Sequence, residues 1–349
     1  SMNFRRKIAI DLGTTNVLVY SRNKGVMLKE PSIVAIDRFT DKIVAVGDEA
    51  KKMLGRTPGN IVPVRAMKDG VIVDYASTER MLKYFMKKSL GRALIKPDVV
   101  ICVPSGATQV QKRAVIQAAT KAGANDVFLI EEPLAAAIGA GIDIADPGGN
   151  MIIDIGGGTT DVAVISLGGI VVSESVKVAG DSCDQAIASY IREKYDVVIG
   201  DTTAEDIKIS LNNAENSQMV SVRGRDLSNG LPAEVLVTPL DIERALEGPI
   251  KAIINTIKRV LANTPPELAA DLYATGAILT GGGSLIKGLD KKIKEEIGID
   301  VIVSENPISA VVRGTGKSLN WIERLDSIEN NQYDIVRRQI ARREELRKR

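Results

Sequence analysis

The chain contains no histidine and only two cysteines among its 349 residues. Ser-His-Asp and Cys-His nucleophilic triads are therefore excluded, and so are zinc sites with histidine ligands. Cys102 and Cys183 lie in unrelated segments without the spacing of a metal site, so we expect two buried thiols. Proton-handling chemistry must then depend on Asp, Glu, Lys or an activated water.

The sequence also lacks any apolar run long enough to cross a bilayer, and its first residues, SMNFRRKIAI, contain no signal-peptide core. The net charge is only +2, so the composition gives no general attraction to nucleic acid. With 44% hydrophobic and 26% charged residues, the composition is typical of a soluble globular protein. The length is sufficient for two domains. We therefore expect a cytoplasmic protein of two domains.

Short apolar runs alternate with helical stretches, which predicts a mixed α/β architecture. An amphipathic helix is predicted at 108–123, and the stretch 238–261 predicts either two helices or one helix kinked at Gly248. Polar residues at 143–150 and 223–232 predict surface connections. The predicted strands are 33–36, 43–46, 98–103, 127–130, 170–178 and 277–280.

Two similar turns, DLGTTN at 11–16 and DIGGGTTD at 154–161, each follow an Ile-rich apolar run and lead into another apolar run. This pattern predicts a strand, a tight turn and a second strand. Glycine lets the backbone approach an anion closely, so each turn is suited to a phosphate group. Asp11 and Asp154 suit Mg2+, which binds a few carboxylates together with waters and phosphate oxygens. The pair predicts duplicated subdomains that close on a nucleoside triphosphate.

These turns and LTGGGS at 279–284 occur in the order and spacing of the phosphate and adenosine motifs of the actin-like ATPase superfamily. Within it, the chain resembles the MreB family of bacterial actins over roughly residues 4–320. Further segments that resemble this family are KEPSIVAID, MKDGVIVDY, FLIEEPLAAAIGAG, VAVISLG and NTPPEL.

The resemblance implies an α/β, actin-like fold (a duplicated ribonuclease H-like fold) with two domains around a nucleotide cleft. Each domain would have a core and a smaller subdomain. Domain I would cover 1–143 with an insertion at about 33–66, and domain II 144–325 with an insertion at about 181–243. A basic C-terminal tail, 326–349, would follow.

The resemblance also implies that ATP and Mg2+ are bound, with Asp11 and Asp154 facing the metal through water. For Glu205 and Lys208, a solvated charge pair on a helix surface is an open alternative. The implied phosphate ligands are Gly13, Thr14, Thr15, Asn16, Gly156, Gly157, Gly158 and Thr159. The implied adenosine contacts are Glu205, Asp206, Ile207, Lys208, Gly281, Gly282, Gly283, Ser284 and Leu285.

The segment FLIEEPLAA predicts a strand that leads into a helix at Glu132 and Pro133. Proline suits the first helical turn, and the helix dipole favours an acid there. The resemblance assigns Glu132 to orient the attacking water and places Thr159 close to the γ-phosphate. The segment RGTGKS at 313–318 resembles the end of a P-loop, but Val311 replaces the required glycine and the segment is predicted to be helical. We therefore reject a P-loop.

Two segments are candidates for membrane contact. Leu94 and Ile95 lie in GRALIKP, where MreB relatives carry an apolar loop, although packing beneath a loop is an alternative. The tail is Arg-rich, and a merely solvated tail is its alternative; an anionic membrane would attract it. The tail's candidate residues are Arg337, Arg338, Arg342, Arg343, Arg347 and Lys348.

The function that the resemblance implies is a slow ATPase that polymerises with itself into paired protofilaments. The filaments would lie on the inner face of the cell membrane and control cell shape, or shape and swimming in a wall-less host. Membrane-protein or cell-shape partners are expected, and nucleic acid is not. The rival classes are a plasmid-partitioning actin, a sugar or acetate kinase, and a heat-shock-type chaperone. The chaperone would need a substrate-binding domain after residue 320.

Overall fold

The structure is a computed structural model. It describes residues 5–13, 15–53, 56, 58–68, 71–92, 94–212, 218–307, 310–322 and 345–348. Contacts divide the chain into two compact units. The first comprises 1–148, 165–170 and 309–349, and the second comprises 149–164 and 171–308.

The strands of the described residues, in chain order, are β1 (Lys7–Leu12), β2 (Asn16–Ser21), β3 (Gly25–Pro31), β4 (Ile33–Asp37), β5 (Lys42–Val46), β6 (Ile61–Arg65), β7 (Met67–Lys68), β8 (Val71–Ile72), β9 (Asp98–Val103), β10 (Val127–Glu131), β11 (Asn150–Ile155), β12 (Thr160–Ser166), β13 (Gly169–Val176), β14 (Val197–Val198), β15 (Val220–Asp226), β16 (Pro232–Val237), β17 (Ala277–Thr280) and β18 (Val301–Val303).

The helices of five or more residues in the described part of the chain are α1 (Asp48–Lys52), α2 (Tyr75–Leu90), α3 (Gln109–Ala122), α4 (Glu132–Gly139), α5 (Gly180–Tyr195), α6 (Asp201–Asn212), α7 (Pro239–Ala245), α8 (Glu247–Ala262), α9 (Pro266–Thr275), α10 (Leu289–Ile297) and α11 (Ala310–Ile322). A short 3-10 helix covers Gly282–Leu285.

The two units contain five-stranded sheets with the same pairing order. In the first unit the order is β10-β9-β1-β2-β3, and in the second it is β18-β17-β11-β12-β13. Asp11 is the fifth residue of β1, and Asp154 is the fifth residue of β11, so the two carboxylates occupy equivalent positions. The duplication predicted from the two turns is visible in the sheets themselves.

A smaller sheet accompanies the main sheet in each unit. In the first unit its order is β5-β4-β6, and Ile33, Ala35, Ala45 and Ala50 form its apolar cluster. In the second unit the order is β14-β15-β16. These small sheets fall within the predicted insertions at about 33–66 and 181–243.

The predicted helix at 108–123 is confirmed as α3, and its ends show why it forms. The Thr108 hydroxyl accepts a hydrogen bond from the Gln111 backbone N–H at 3.2 Å, and the Gln111 side chain accepts one from the Thr108 N–H at 2.9 Å. This reciprocal cap satisfies two backbone donors at the first turn. Gly123 ends the helix in the left-handed conformation, with φ of 116°.

Helices α4 and α11 of the first unit touch through their backbones. A Cβ atom at Gly314 would collide with the carbonyl of Ala135, and a Cβ atom at Gly139 would collide with the carbonyl of Ala310. Glycine therefore allows the two helices to approach closely. RGTGKS lies inside α11, so its Gly314 serves helix packing and the rejection of a P-loop is confirmed.

In the second unit, the Asp241 carboxylate connects α5 with the start of α7. It is 1% exposed and accepts hydrogen bonds from the Tyr195 hydroxyl at 2.7 Å and the Tyr190 hydroxyl at 3.0 Å. The Lys194 ammonium lies 2.5 Å away, and the Thr238 backbone N–H donates at 3.0 Å. Burial acts to raise the pKa of Asp241, but Lys194 and the other donors outweigh it and hold that pKa well below its usual range.

All six predicted strands are confirmed, and 238–261 forms two helices, α7 and α8. The surface connection predicted at 223–232 is confirmed only for the exposed residues 227–231, because β15 continues to Asp226 and β16 begins at Pro232. Cross-strand pairing compensates there for a polar sequence. The contact-based units also differ from the predicted boundary near 143, and α11 is grouped with the first unit although 144–325 was assigned to domain II.

Candidate functional site

In the first unit, three adjacent parallel strands bring Asp11, Cys102 and Glu132 together. Asp11 of β1 is paired with Cys102 of β9, and Cys102 is paired with Ile130 of β10. Glu132 follows β10 directly as the first residue of α4. A carboxylate oxygen of each acid and the Cys102 sulfur all lie within 4.8 Å of one another. The carboxylates were predicted as site residues, whereas Cys102 was predicted only as a buried thiol, and it is 3% exposed.

The Asp11 carboxylate lies in a poorly hydrated position. Part of the residue reaches the surface, but protein surrounds the carboxyl group closely enough for burial to raise its pKa to about 6. Burial raises an acid's pKa because it disfavours the charged form. A cation beside the group would restore the charged form, so this position suits the metal that Asp11 was predicted to face.

The first turn is held by Ser32, which the sequence reasoning missed. The Ser32 hydroxyl donates to the Gly13 carbonyl at 2.6 Å, and the Ser32 backbone N–H donates to the Thr15 carbonyl at 3.0 Å. A Cβ atom at Gly13 would lie 2.5 Å from the Asn16 carbonyl oxygen, so a side chain there would displace the turn. The buried Thr15 hydroxyl has no hydrogen-bond partner among the described residues. Thr14 lies outside the described residues.

The second turn rests on the first residues of α5. The Gly156 backbone N–H donates to the Thr159 carbonyl at 3.0 Å and so closes the turn. The carbonyls of Gly156 and Gly157 accept hydrogen bonds from the backbone N–H groups of Gly180 at 3.0 Å and Asp181 at 2.8 Å, respectively. Gly156, Gly157, Gly158 and Thr159 are all half-buried, so a ligand can reach the turn.

Thr159 is further held by Asp161, to whose carboxylate its hydroxyl donates at 3.4 Å. Burial raises the pKa of Asp161, and hydrogen bonds from Ser175 and Thr159 act against that rise. Asp154 is buried at the fifth position of β11 and is paired with Thr280 of β17. This pairing connects the second turn to the predicted adenosine motif.

The adenosine motif is a tight turn after β17. Gly281 has φ of 83°, and a Cβ atom there would lie 2.5 Å from Asp154 Oδ1. The Ser284 hydroxyl donates to the Gly281 carbonyl at 2.6 Å and is buried, so it stabilises the turn. Gly282 is exposed, whereas Gly283 is buried. The 3-10 helix Gly282–Leu285 follows this turn, and α10 begins at Leu289. The Leu285 side chain lies outside the described residues.

The predicted contacts on α6 separate into three environments. Glu205 and Asp206 are exposed, whereas Ile207 is 3% exposed and belongs to the apolar core of the unit. Lys208 lies 2.7 Å from the Asp184 carboxylate and donates to the Gly180 carbonyl at 3.3 Å. Burial raises the pKa of Asp184, and the Lys208 ammonium opposes that rise. The open alternative of a Glu205–Lys208 pair is thus replaced by a Lys208–Asp184 pair that sequence spacing did not suggest.

A groove of about 630 Å3 extends from Lys208 along α7, α8 and α10. Its floor includes Leu246, Ile250 and Ile254. The sequence reasoning missed this groove, although the repeat of isoleucines along α8 indicates an apolar helix face.

The candidate membrane residues are only partly described. Leu94 is fully exposed and Ile95 is 50% exposed, so the alternative of packing beneath a loop is wrong for Leu94. Arg347 and Lys348 are exposed in a helical stretch at 345–348. Arg337, Arg338, Arg342 and Arg343 lie outside the described residues. Among the helices that the structure describes, none is long and apolar enough to cross a membrane.

Two duplicated sheets, each with a carboxylate and a Gly/Thr turn at the same position, define the actin-like class of nucleotide-binding proteins. Solved structures agree with this class. MreB5 of Spiroplasma citri bound to AMPPNP is 38% identical with a TM-score of 0.86, and the match covers 92% of this chain and 98% of that one. A MamK double helical filament shares the fold at 23% identity, with a TM-score of 0.75 and 90% and 99% coverage.

Residues 5–327 match the model of the MreB/Mbl protein family, and the chain belongs to that family. The cell shape-determining protein Mbl of Bacillus subtilis (strain 168) is 49% identical over 326 residues, which are 92% of this chain and 98% of the relative. The cell shape-determining protein MreB of Escherichia coli (strain K12) is 47% identical over 329 residues, with 92% and 95% coverage. The resemblance seen in the motifs is confirmed.

Proposed function

We propose that this chain is a bacterial actin that binds ATP, polymerises with itself and controls cell shape. The observation that carries the proposal is near-complete coverage of relatives that are named cell shape-determining proteins, at 47–49% identity. Structures of Spiroplasma citri MreB5 bound to AMPPNP and to ADP support the choice of an adenine nucleotide. In a wall-less host the same filaments would serve shape and swimming.

The chain's own groups fit a nucleoside triphosphate and its metal ion. The buried Thr15 hydroxyl suits a phosphate oxygen, because it has no hydrogen-bond partner among the described residues and a phosphate would accept its proton. Asp11 and Asp154 would hold Mg2+ through its waters. When bound, Mg2+ would neutralise part of the negative charge of the phosphates.

Hydrolysis in this proposal depends on the placement of water by Glu132. Its carboxylate, at the first turn of α4, accepts a hydrogen bond from the water and directs the water oxygen toward the γ-phosphorus. As the new P–O bond forms, the bond to the β–γ bridging oxygen breaks and its electron pair stays on the departing ADP. The proton of the water passes by way of the Glu132 carboxylate to the released phosphate. Thr159, which Asp161 holds in place, contacts the γ-phosphate. Positioning accounts for most of the catalysis in such reactions, so one orienting carboxylate is enough.

Replacing Glu132 tests this mechanism. We expect Glu132→Gln to slow phosphate release by about 10²- to 10⁴-fold, the usual contribution of a positioned acid or base, and to keep ATP binding. Phosphate release and binding of a fluorescent ATP analogue are the measurements. Glu131→Gln, one residue earlier, is the matched control. Equal turnover in wild type and Glu132→Gln would remove Glu132 from the mechanism.

Polymerisation is tested by light scattering and electron microscopy in ATP, ADP and nucleotide-free buffers. We expect filaments of paired protofilaments with ATP. Absence of polymer in every nucleotide state and at every salt concentration would refute the filament and leave a non-polymerising member of the superfamily, such as a kinase. Filaments that form with ATP but do not co-sediment with liposomes would favour the plasmid-partitioning alternative.

Membrane association on the inner face of the cell membrane is also proposed, and Leu94 is its main support. Two aliphatic side chains contribute at most about 3–5 kcal/mol per subunit, and each basic tail residue about 1 kcal/mol. Polymerisation multiplies such weak contacts. We expect Leu94→Ser to reduce co-sedimentation with anionic liposomes. Val110→Ser, which removes another exposed aliphatic side chain, is the control.

A further inference from the structure

The Asp11–Cys102–Glu132 cluster combines two ligand chemistries at one point of the first unit. The parallel register of β1, β9 and β10 fixes the neighbours, and the ligand atoms are two carboxylate oxygens and one sulfur within 4.8 Å of one another. Mg2+ prefers oxygen ligands and retains most of its waters, so a magnesium site has no use for the sulfur. The Cys102 thiol is therefore a potential metal ligand that Mg2+ binding does not require.

The geometry suits a more thiophilic ion than Mg2+. In a tetrahedral zinc site, ligand bonds of about 2.0–2.3 Å place the ligand atoms roughly 3.5 Å apart. Because the three atoms already lie within 4.8 Å, small side-chain rotations are enough to enclose the ion. One sulfur and two carboxylates leave the fourth position for water or a phosphate oxygen.

We propose that Asp11, Cys102 and Glu132 form a binding site for a thiophilic divalent cation such as zinc or cadmium, and that its occupancy inhibits the ATPase. On binding, the Cys102 S–H bond breaks, the proton goes to solvent and the sulfur binds the metal as a thiolate. The inhibition rests on the proposed function, because the ion takes the carboxylate that orients water and the one that faces Mg2+. The binding itself does not depend on hydrolysis.

Binding is tested with Cd2+ added to the full chain in buffer free of nucleotide and Mg2+. We expect one ion per chain and a sulfur-to-cadmium charge-transfer band in the ultraviolet, with release of a proton. Cys102→Ser should abolish the band and weaken binding at least about tenfold, the scale seen when a metal site loses a supporting group. Circular dichroism checks that the variant is folded, and Cys102→Ala serves as a second substitution.

Cys183→Ser is the matched control, because it removes the other thiol of the chain. Cys183 is fully buried in α5, and burial raises its pKa to about 11, so it forms a thiolate poorly. The band should persist in this variant. A band that survives in both Cys102 variants, or that disappears in Cys183→Ser, would overturn the proposal.

Inhibition is tested by adding Zn2+ to the Mg2+-ATPase reaction, with each variant's rate expressed relative to its own rate without zinc. Wild type and Cys183→Ser should be inhibited in the same concentration range, whereas Cys102→Ser should need at least about tenfold more zinc. If the chain proves not to hydrolyse ATP, the cadmium band still decides the site. An active ATPase without a cadmium band would overturn this inference and leave the proposed function intact.

Discussion

In the adenosine turn, the neighbouring residues Gly281 and Gly282 differ strongly in the space available for a side chain. Gly281 adopts a positive φ of 83°, and a Cβ atom added there would collide with the Ile155 carbonyl and lie 2.5 Å from Asp154 Oδ1. Gly282 is exposed, and a Cβ atom added there would have no neighbour within 4 Å. The resemblance assigned both residues to adenosine without distinguishing them.

The cost of Gly281→Ala follows from two sources. Gly281 combines its positive φ with a ψ of 166°, a conformation that costs an alanine about 1–3 kcal/mol, and overpacking against a fixed neighbour costs about 1–3 kcal/mol. The neighbour cannot withdraw, because the Ile155 carbonyl belongs to β11, a central strand of its sheet. The sum is about 2–6 kcal/mol, whereas Gly282→Ala should change stability by less than about 0.5 kcal/mol.

Thermal unfolding followed by circular dichroism measures the difference. For a unit of this size, 1 kcal/mol shifts the midpoint by about 2–4 °C, so a cost near 3 kcal/mol lowers the midpoint by about 6–12 °C. Gly282→Ala should leave the midpoint unchanged and reduce only the affinity for ATP. Midpoints of the two variants within about 1 °C of each other would refute the close approach of the turn to β11.

Three further predictions concern the packing of each unit. Asp241→Asn should reduce the free energy of unfolding by about 2–3 kcal/mol in urea titrations, because the Lys194 ammonium and the two tyrosine hydroxyls lose the buried carboxylate that accepts their hydrogen bonds. Tyr195→Phe should cost only about 1 kcal/mol. Since the folded-state pKa of Asp241 is depressed, its stabilisation is present above the unfolded pKa of about 3.9 and is lost as pH falls through the folded value. Stability of wild type should therefore fall more steeply than that of Asp241→Asn below about pH 4, and parallel acid curves would contradict this. Gly314→Ala should destabilise by about 1–3 kcal/mol through the α4–α11 contact, and Gly248→Ala, in an open helical position, should stabilise by about 0.5–1 kcal/mol. If Gly314→Ala and Gly248→Ala change the free energy of unfolding equally, the backbones of α4 and α11 do not touch at Gly314.

Local patterns in the sequence predicted the elements that depend on local rules. The cap at Thr108 and the glycine at 123 set the ends of α3, and alternating apolar runs set the six predicted strands. Asp11 and Glu132 could also be predicted as site residues, because each stands where an apolar strand ends. The polar strand that ends at Asp226 was missed, because its stability comes from pairing with β16 and not from its own composition.

The sequence by itself determined the duplicated turns, their carboxylates and the family. Tertiary structure decided which distant residues meet. Strand register placed Cys102 beside Asp11, helix packing gave Lys208 the Asp184 carboxylate as partner, and close backbone contact gave Gly314 its role in α11. The physical reason is that a motif is a property of consecutive residues, whereas a contact depends on how separate elements pack. No spacing along the chain specifies that packing.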